Sequence, residues 1–539
     1  MTMENILLIQ PPIEDFYLTR KRTVPYGLCS IAGSLAKHGY QVEIFDCLAT
    51  GKTRVIKWPD QFNYLYPFYG RSDKSPFSLF HDYKHFGYSF EYTGKIVKEI
   101  QPFLVGISSL FTAYFDSVVN LAEIIKKNLP ECRIVIGGHH PTQLPKEAME
   151  CPWIDYIIRG EGEQSMPLLA DALVGKQDIK NVPGIVFRKD DNTLHMNEPV
   201  WLKSLTGLPL PALDLVKHKF YKRKGKGSAI VVSSRGCPMK CSYCAVSASS
   251  LAPPFRRRKT DDIIRELEIQ VKSFDTGFID FEDENLCLKK SWFLSLMEKI
   301  EKKFPGKKLE LRAMNGLFPP SIDEDVIKAM KSAGFKILNL SLGSTSKKQL
   351  ERFKRQDVRR AHENALLLAE KYKMKSVSYI IAAGPGQDPE QSVDDLLYLA
   401  SKPTLAGLSV FYPAPGSMDW EFCRKNNLLP GSFSLMRSTA LPIADKCSPC
   451  QSVTLLRLAR ILNFMKALKK ERLPIPGPEK CSQAHIDPDM DRKNLGTLLL
   501  SWFLNDGVIR GVDKDHRVYC HECDPVLTDR FIRKTDTVQ

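Results

Sequence analysis

The sequence predicts an α/β protein in three parts: an N-terminal doubly wound parallel sheet, a partial (β/α)6 barrel and a mainly α C-terminal extension. Short apolar runs alternate with amphipathic helical patterns before residue 205, and again between residues 226 and 430. This alternation is typical of parallel sheets that are covered by helices. The chain has 539 residues, more than one hydrophobic core usually holds. We therefore expect separate domains.

The first domain is predicted over residues 1–205. A helical pattern follows the first apolar run and ends at Gly39, and a hairpin around Asp190 closes the domain. Ligands of such sheets bind beside the carboxyl ends of the strands, so the loops there are the candidate binding loops. The predicted strands lie at 6–9, 42–45, 103–107, 133–136 and 156–158.

Residues 51–92 form an insertion in this domain that is dense in Phe and Tyr and lacks either a helical or a strand period. Two interpretations stay open. The insertion is either a loop folded over the sheet edge on its own small cluster, or a wall between a cofactor and the substrate. A proline-rich linker is predicted over residues 206–225.

Three cysteines, Cys237, Cys241 and Cys244, follow an apolar run that predicts a buried strand. Their C-x-x-x-C-x-x-C spacing lets three thiolates converge on one face of a cubane cluster. Iron–sulfur clusters are normally held by four thiolates, so three ligands leave one iron open. Zinc is the alternative, but zinc prefers paired C-x-x-C units with two further ligands close by, and the next cysteine is Cys287. The spacing favours the cluster.

The second domain is predicted over residues 226–430. Successive βα units with right-handed crossovers build a partial barrel whose active site lies at the carboxyl ends of its strands. The cysteine loop is at one such end, an acidic segment (282–285) is at another, and a glycine-rich segment (382–387) is at a third. The predicted strands lie at 229–232, 278–281, 309–311, 337–340, 377–380 and 408–411.

These motifs resemble the radical S-adenosylmethionine (SAM) enzymes, in which C-x-x-x-C-x-aromatic-C follows a strand. From about Asn5 to about Leu429 the chain is similar to the subfamily that carries an N-terminal cobalamin-binding domain. The resemblance implies a [4Fe-4S] cluster on the three cysteines, SAM at the open iron, and cobalamin on the first sheet. It also implies an electron donor such as flavodoxin or ferredoxin.

For SAM, the resemblance assigns residues at the strand ends. Asp283 and Glu284 match the F-x-D-D-x-F signature of the subfamily, and Tyr243 matches the aromatic residue near adenine. Where the family often has G-x-E-S, the acid is missing here and Gly343 takes its place. The SAM contacts implied are Tyr243, Asp283, Glu284, Ser344, Gly384, Gly386 and Tyr412.

For cobalamin, an ordered set of loop motifs in the first domain carries the resemblance. The D-x-H-x-x-G motif, whose His ligates cobalt in other cobalamin proteins, does not occur in the sequence, so we expect no protein His as axial ligand. His139 and His140 are interpreted as polar loop residues. A sheet that binds no cobalamin remains the alternative. The contacts implied are Pro12, Tyr26, Gly27, Ser108, Ser109, Gly137, Gly138, Glu161 and Gly162.

The C-terminal part, residues 431–539, lies beyond the resemblance. Apolar residues at helical spacing between Leu455 and Met465 predict a helix. Two C-x-x-C units are candidates for a second metal site, and ordinary reduced thiols are the alternative. These units are Cys447/Cys450 and Cys520/Cys523.

Composition limits the function. The net charge of +15 is spread along the chain, so we expect no nucleic-acid partner; no apolar run is long enough to span a membrane, and we expect no signal peptide. Fourteen cysteines without export signals indicate a reducing cytoplasm and anaerobic chemistry.

The main hypothesis, which rests on the resemblance, is a cobalamin-dependent radical SAM methyltransferase. A 5′-deoxyadenosyl radical and methylcobalamin would methylate an unactivated carbon of a small molecule, lipid or peptide. One alternative is a cyclase or oxidoreductase of the anaerobic magnesium-porphyrin cyclase type. A second is a sensor that binds both cofactors without turnover.

Overall fold

The computed structural model describes residues 5–17, 24–248, 251, 253–306 and 309–536. It confirms the predicted α/β class and its three parts. The first part is a seven-stranded sheet in the order β10-β9-β8-β7-β6-β1-β3. The strands from β8 to β3 in this order run parallel to one another, and β9 is antiparallel to both β8 and β10. Its strands and helices are β1 (Asn5–Gln10), β2 (Ile13–Asp15), α1 (Tyr26–Lys37), β3 (Gln41–Asp46), β4 (Thr53–Val55), α2 (Tyr66–Tyr69), β5 (Lys84–Phe86), α3 (Phe90–Ile100), β6 (Leu104–Ser108), α4 (Phe115–Asn128), β7 (Arg133–Gly137), α5 (His139–Gln143), α6 (Pro145–Met149), β8 (Tyr156–Ile158), α7 (Gly162–Leu173), β9 (Ile185–Arg188) and β10 (Leu194–Met196).

Both faces of this sheet are covered because its strands are apolar on both sides. One face packs against α1 and α7, and the other against α3 and α4. The strand order reverses at β1, which has β3 on one side and β6 on the other. In open α/β sheets a ligand lies in the crevice at such a point, beside the carboxyl ends of the two strands. The hairpin predicted around Asp190 is confirmed as β9 and β10.

The second part is a partial barrel of six parallel strands, each of which the sequence predicted. Its strands β12, β15 and β16 form one ladder and β17, β18 and β19 another; single bridges such as Leu317 to Leu340 link the two. The elements are β11 (Lys222–Arg223), β12 (Lys226–Val231), β13 (Ser234–Arg235), α8 (Ala245–Ala248), β14 (Arg256–Arg257), α9 (Thr260–Ser273), β15 (Thr276–Phe281), α10 (Lys290–Lys303), β16 (Glu310–Ala313), α11 (Glu324–Ala333), β17 (Ile337–Gly343), α12 (Lys347–Arg352), α13 (Arg359–Lys371), β18 (Lys375–Ala382), α14 (Pro389–Ala400), β19 (Leu405–Val410) and α15 (Met418–Lys425).

The third part covers the open edge of the barrel. Its long helix α16 packs on β19 and α14, and the Asn463 side chain bonds both backbone groups of Ala406, at 2.9 Å to the N–H and 2.8 Å to the carbonyl. Satisfying an edge strand in this way protects it from pairing with another chain. The elements are α16 (Pro449–Lys470), α17 (Arg492–Asp506), β20 (Arg510–Val512), β21 (Val518–Cys520) and α18 (Pro525–Asp536).

The aromatic insertion packs in a cluster that it shares with other segments of the chain, so the cluster is not its own as the first interpretation states. Phe16, Phe62 and Tyr83 meet there, with ring centroids 4.9–5.4 Å apart. Leu441 and Val453 of the third part belong to the same cluster, so the insertion joins the first part to the third. The last residues of the predicted insertion, 90–92, already belong to α3.

His362 generates a prediction about pH. Its ring is fully buried between α13 and β18, where its Nε2 lies 2.7 Å from the Ser378 hydroxyl, and burial lowers its pKa to about 4. An unfolded His titrates near 6.5, so the unfolded chain takes up a proton first as the pH falls. The free energy of unfolding therefore keeps its full value above pH 6.5 and falls between pH 6.5 and pH 4. At pH 5 the loss is about 2 kcal/mol.

We expect His362→Asn to flatten the pH dependence of the free energy of unfolding between pH 7 and pH 5, measured by urea denaturation. An unchanged slope in the variant would contradict a neutral buried ring.

Candidate functional site

The loop that carries the three cysteines is closed at its base by a two-stranded ribbon. The strand β13 enters the loop, β14 leaves it, and Arg235 pairs with Arg256 across the ribbon. Gly236 has a φ of +82°, and a Cβ there would stand 2.4 Å from the Pro254 carbonyl oxygen. Only glycine lets the two ends of the loop approach so closely.

The three thiols are close enough for the charge of one to shift the pKa of another. Burial raises the pKa of Cys237, and ionised Cys244 and Cys241 would raise it further. Cys241 is buried; its pKa is also raised by burial, while the nearby Arg355 guanidinium lowers it. Among the described residues no three Cys, His, Asp or Glu side chains are grouped for a single metal ion. In an iron–sulfur cluster each thiolate binds a different iron, so the three loop cysteines are the residues that would hold the cluster.

Asp283 and Glu284, at the end of β15, have different surroundings. Asp283 is buried and accepts hydrogen bonds from the hydroxyls of Ser233 and Ser234, at 2.7 and 2.5 Å. Its oxygens therefore hold the strand end that leads into the cysteine loop. Glu284 keeps one buried oxygen, Oε2, without a hydrogen-bond partner in the described structure. Burial raises the pKa of Glu284, although the Gly236 backbone N–H and Arg235 oppose this.

Arg355, which the sequence analysis missed, fills the space of the absent acid. A Cβ on Gly343 would stand 3.2 Å from the Arg355 side chain, so the guanidinium enters where the family motif places a carboxylate. Arg355 donates to the Tyr243 hydroxyl at 2.6 Å and to the Ser341 hydroxyl at 3.0 Å. Its Nε is buried and has no partner within the described residues. The only signal in the sequence was the missing acid itself.

The remaining residues expected to contact SAM differ in whether a ligand can reach them. The buried Ser344 hydroxyl donates to Asp395 of α14 at 2.8 Å, so it holds that helix. A Cβ on Gly384 would stand 2.6 Å from the Phe353 ring, which explains the glycine by packing. Gly386 has open space around it and a φ of +70°, and Tyr412 is 39% exposed. Gly386 and Tyr412 are the two of these that a ligand can reach.

At the first sheet, the loops after β6 and β7 meet. The Ser109 N–H donates to the Gly137 carbonyl at 2.8 Å, and a Cβ on Gly138 would stand 2.5 Å from the Ser109 carbonyl oxygen. The buried Ser109 hydroxyl has no partner among the described residues. Ser108, Ser109, Gly137 and Gly138 thus share one edge with Pro12, which follows β1 across the reversal point.

Two other residues expected to bind cobalamin instead contact the barrel. The Tyr26 hydroxyl lies 3.0 Å from the Arg258 guanidinium and 3.2 Å from the Glu266 carboxylate. Both oxygens of Glu161 accept from arginines of the cysteine-loop ribbon. We therefore reassign Tyr26 and Glu161 to the seam between the two parts. Nearby, Gly27 is exposed with open space around it, while a Cβ on Gly162 would meet Ile31 at 3.0 Å.

The carboxyl edges of the two sheets face each other across a cleft. Glu161, just after β8, contacts Arg235 of β13, the short strand that follows β12. Desolvation by the surrounding protein raises the pKa of Tyr412, after β19, and Tyr17 of the first part raises it further. Large apolar side chains stand exposed at both edges: Leu110, Phe111 and Met314 are 44%, 57% and 41% exposed.

The two histidines of the first sheet differ. His139 is exposed, although desolvation by the protein around it lowers its pKa. His140 is buried against Phe115, with ring centroids 4.2 Å apart, and burial lowers its pKa to about 3. His140 therefore belongs to the core, and His139 is an exposed residue at the start of α5.

The two C-terminal cysteine pairs approach each other through Cys450 and Cys523. The pKa of Cys450 is raised by burial, by Asp524 and by Cys523, which places the two C-x-x-C units side by side. Cys447 is buried 3.3 Å from the Ser452 hydroxyl, and Cys520 is exposed. In the described part of the chain these thiols form no group for one ion.

Comparison with known proteins agrees with this geometry. Residues 231–399 match the family model of the radical SAM superfamily, and residues 81–170 match that of the B12 binding domain. The chain is a cobalamin-binding radical SAM enzyme. The three predictions of family, of enzymatic activity and of the cofactor set are thereby confirmed.

The relatives of this cobalamin-binding radical SAM enzyme carry names that state different activities. An uncharacterized methyltransferase of Pyrococcus horikoshii is 27% identical over 80% of this chain and 85% of its own. An anaerobic magnesium-protoporphyrin IX monomethyl ester cyclase of Cereibacter sphaeroides is 23% identical over 61% of this chain and 54% of its own. The fold resembles that of the methyltransferase TsrM from Kitasatospora setae, with a TM-score of 0.62, 15% identity, and coverage of 87% of this chain and 96% of that one.

The three loop cysteines generate a prediction with an internal control. Cys241→Ala should remove the visible cluster absorption and at least one iron-binding position after anaerobic reconstitution, because a cubane corner loses its thiolate. Cys287→Ala is the matched control, since Cys287 is a buried thiol of the same domain outside the loop. Full iron content in Cys241→Ala, or equal loss in both variants, would contradict the assignment.

Proposed function

We propose that this enzyme transfers a methyl group to an unactivated carbon of a small molecule, with SAM bound on the barrel and cobalamin on the first sheet. The observation that carries the proposal is the cleft, where the candidate binding edges of both sheets face each other. When bound, the reduced cluster supplies the electron that cleaves SAM, and cobalamin supplies the methyl group.

The residues beside the cysteine loop fit the amino-acid end of SAM. Glu284 and Arg355 carry opposite charges, and each keeps one buried polar atom without a partner in the described structure. A buried polar atom without a hydrogen bond costs free energy, so both atoms favour a ligand. The Glu284 carboxylate would accept from the amine of SAM, and Arg355 would donate to its carboxylate. Asp283 positions the loop through Ser233 and Ser234.

The first sheet fits a large cofactor at its reversal point. The Gly137–Gly138 turn brings backbone to the edge without side chains, and the Ser109 hydroxyl is buried there without a partner among the described residues. Ser108, Ser109, Gly137, Gly138 and Pro12 are the residues that would hold the corrin. His139 would line the cleft beside it and, being neutral above a lowered pKa, would add no charge.

The interior of the barrel supports a substrate with polar groups. Arg312 and Asp280 form a two-bond ion pair at 2.6 and 2.7 Å on the inward faces of their strands. The Tyr379 hydroxyl donates to the Asn339 side chain at 3.3 Å. Barrel interiors are normally filled by branched apolar residues, so this polar lining favours hydrogen-bonding ligands over lipid chains. The apolar residues of the cleft would contact the less polar end.

The partner and the surroundings of the enzyme are proposed from the family resemblance and the cysteine content. We propose that a flavodoxin- or ferredoxin-like protein supplies the electron, and that the enzyme works in an anaerobic cytoplasm. Among the described helices, none combines the length and the apolar character needed to cross a bilayer.

Arg355 generates a prediction about SAM affinity. Arg355→Gln should weaken SAM binding about 10- to 100-fold, because hydrogen bonds to charged groups contribute about 1.5–3 kcal/mol. Binding of decarboxylated SAM should change little, since it lacks the group that Arg355 would contact. Equilibrium dialysis of the reconstituted enzyme measures both. Arg424→Gln, on an exposed ion pair, is the control. Equal losses for the two ligands would contradict the contact.

The methyl group itself separates the candidate functions. With cobalamin, a low-potential reductant and methyl-labelled SAM, a methyltransferase should place the label on cobalamin and release S-adenosylhomocysteine. A cyclase should yield 5′-deoxyadenosine without labelled cobalamin, and the presence of cyclases among the relatives keeps that candidate. A sensor should cleave no SAM at all.

A further inference from the structure

The cysteine loop is fastened to the first part of the chain at its base. Arg235 donates to Glu161 Oε1 at 3.0 Å, and Arg256, opposite it on the ribbon, donates to Glu161 Oε2 at 2.7 Å. Arg235 also donates to Glu163 at 2.5 Å. One carboxylate therefore holds both strands of the ribbon. We call Glu161, Glu163, Arg235 and Arg256 the clamp.

The side chains of the clamp are largely excluded from water. The side chains of Glu161, Glu163 and Arg256 are each 7% exposed, and that of Arg235 is 22% exposed. Buried ion pairs contribute little net stability because desolvation offsets their attraction, whereas they demand one precise geometry. The clamp is therefore better suited to positioning than to stabilising.

The clamp joins the two edges that carry the cofactors. Glu161 follows the carboxyl end of β8, and its carboxylate also accepts the Leu202 N–H at 2.7 Å, which fixes its orientation. Arg235 precedes Cys237 by two residues. Any shift of the first sheet along the cleft is thus transmitted to the start of the cysteine loop.

We propose that Glu161 is a positioning residue that sets where the cluster and its SAM stand relative to the cofactor on the first sheet. This inference rests on the proposed function. Two reactions of SAM depend on that position differently. Reductive cleavage takes one electron from the cluster, breaks the bond between sulfur and C5′, and yields methionine and 5′-deoxyadenosine after hydrogen-atom uptake. It needs only groups on the barrel.

The second reaction needs both edges. With cobalamin bound, the methyl of SAM would pass to cob(I)alamin, whose electron pair would form the new cobalt–carbon bond; the bond between sulfur and methyl would break, and S-adenosylhomocysteine would leave. A displaced first sheet lengthens this transfer but leaves the cleavage geometry intact. Loss of the clamp should therefore lower the release of S-adenosylhomocysteine much more than the formation of 5′-deoxyadenosine.

The test compares both products in one reaction. Enzyme reconstituted with iron, sulfide and cobalamin is given SAM and titanium(III) citrate, which reduces both the cluster and cobalamin. Glu161→Gln should lower S-adenosylhomocysteine release at least tenfold and keep 5′-deoxyadenosine within about threefold of the parent enzyme. Glu298→Gln, in an exposed helical ion pair, should change neither product. A parallel fall of both products, or no fall, would overturn the proposal.

A second variant separates positioning from folding. Glu161→Gln leaves Arg256 buried beside a neutral partner, which lowers stability, whereas Glu161→Gln combined with Arg256→Gln removes both charges and leaves the pair of Arg235 and Glu163 intact. We expect the double variant to regain melting temperature while S-adenosylhomocysteine release stays low. Recovery of release together with stability would reduce the clamp to a folding element.

The unloaded protein gives an independent readout. Amide hydrogen exchange at 234–236 and 256–258 should be at least tenfold faster in Glu161→Gln than in the parent chain. Unchanged exchange would overturn the clamp whatever the enzyme does. If the parent enzyme forms neither product, the proposed function fails, and exchange still decides whether the clamp holds the loop. If the parent forms both and Glu161→Gln matches it, the positioning role alone fails.

Discussion

Charges removed from water at the seam between two parallel sheets constrain the rest of the structure. Parallel sheets collect their functional loops at the carboxyl edges, and here those edges face each other, so polar loops are enclosed where a core would be apolar. Each buried charge then needs a partner from the opposite side. Glu161 forms ion pairs with Arg235 and Arg256, and the guanidinium of Arg258 donates to the Tyr26 hydroxyl. A docking shifted by one residue would leave several of them unpaired.

The site beside the cysteine loop is satisfied only in part. Asp283 has its hydroxyl donors, whereas Glu284 and Arg355 retain unpartnered buried atoms within the described structure. Full satisfaction rigidifies a polar network, and partial satisfaction leaves capacity for a ligand. The same contrast holds at the first sheet, where Ser109 is unsatisfied and Glu161 is not.

The third part of the chain acts as a brace. Its helix α16 covers the open barrel edge, and its buried Arg457 reaches the insertion of the first part, donating to the Phe77 carbonyl at 3.0 Å. His521 lies 2.9 Å from Asp73 of the same insertion, and Arg437 contacts the buried Asp15. The aromatic insertion is thus fixed by the extension. This explains why its sequence follows neither a helical nor a strand period: its neighbours come from two distant segments.

The sequence by itself determined the two sheets, the order of their strands along the chain and the three cysteines of the loop. Apolar runs, glycines at strand ends and ligand spacing are local features, so they are legible without the fold. Only the tertiary structure decided which polar residues act and which support. Tyr243 and Arg355 are 112 residues apart, and Glu161 and Arg235 are 74 apart. A charged side chain takes its role from its partner, and that partner is chosen by how the two sheets dock.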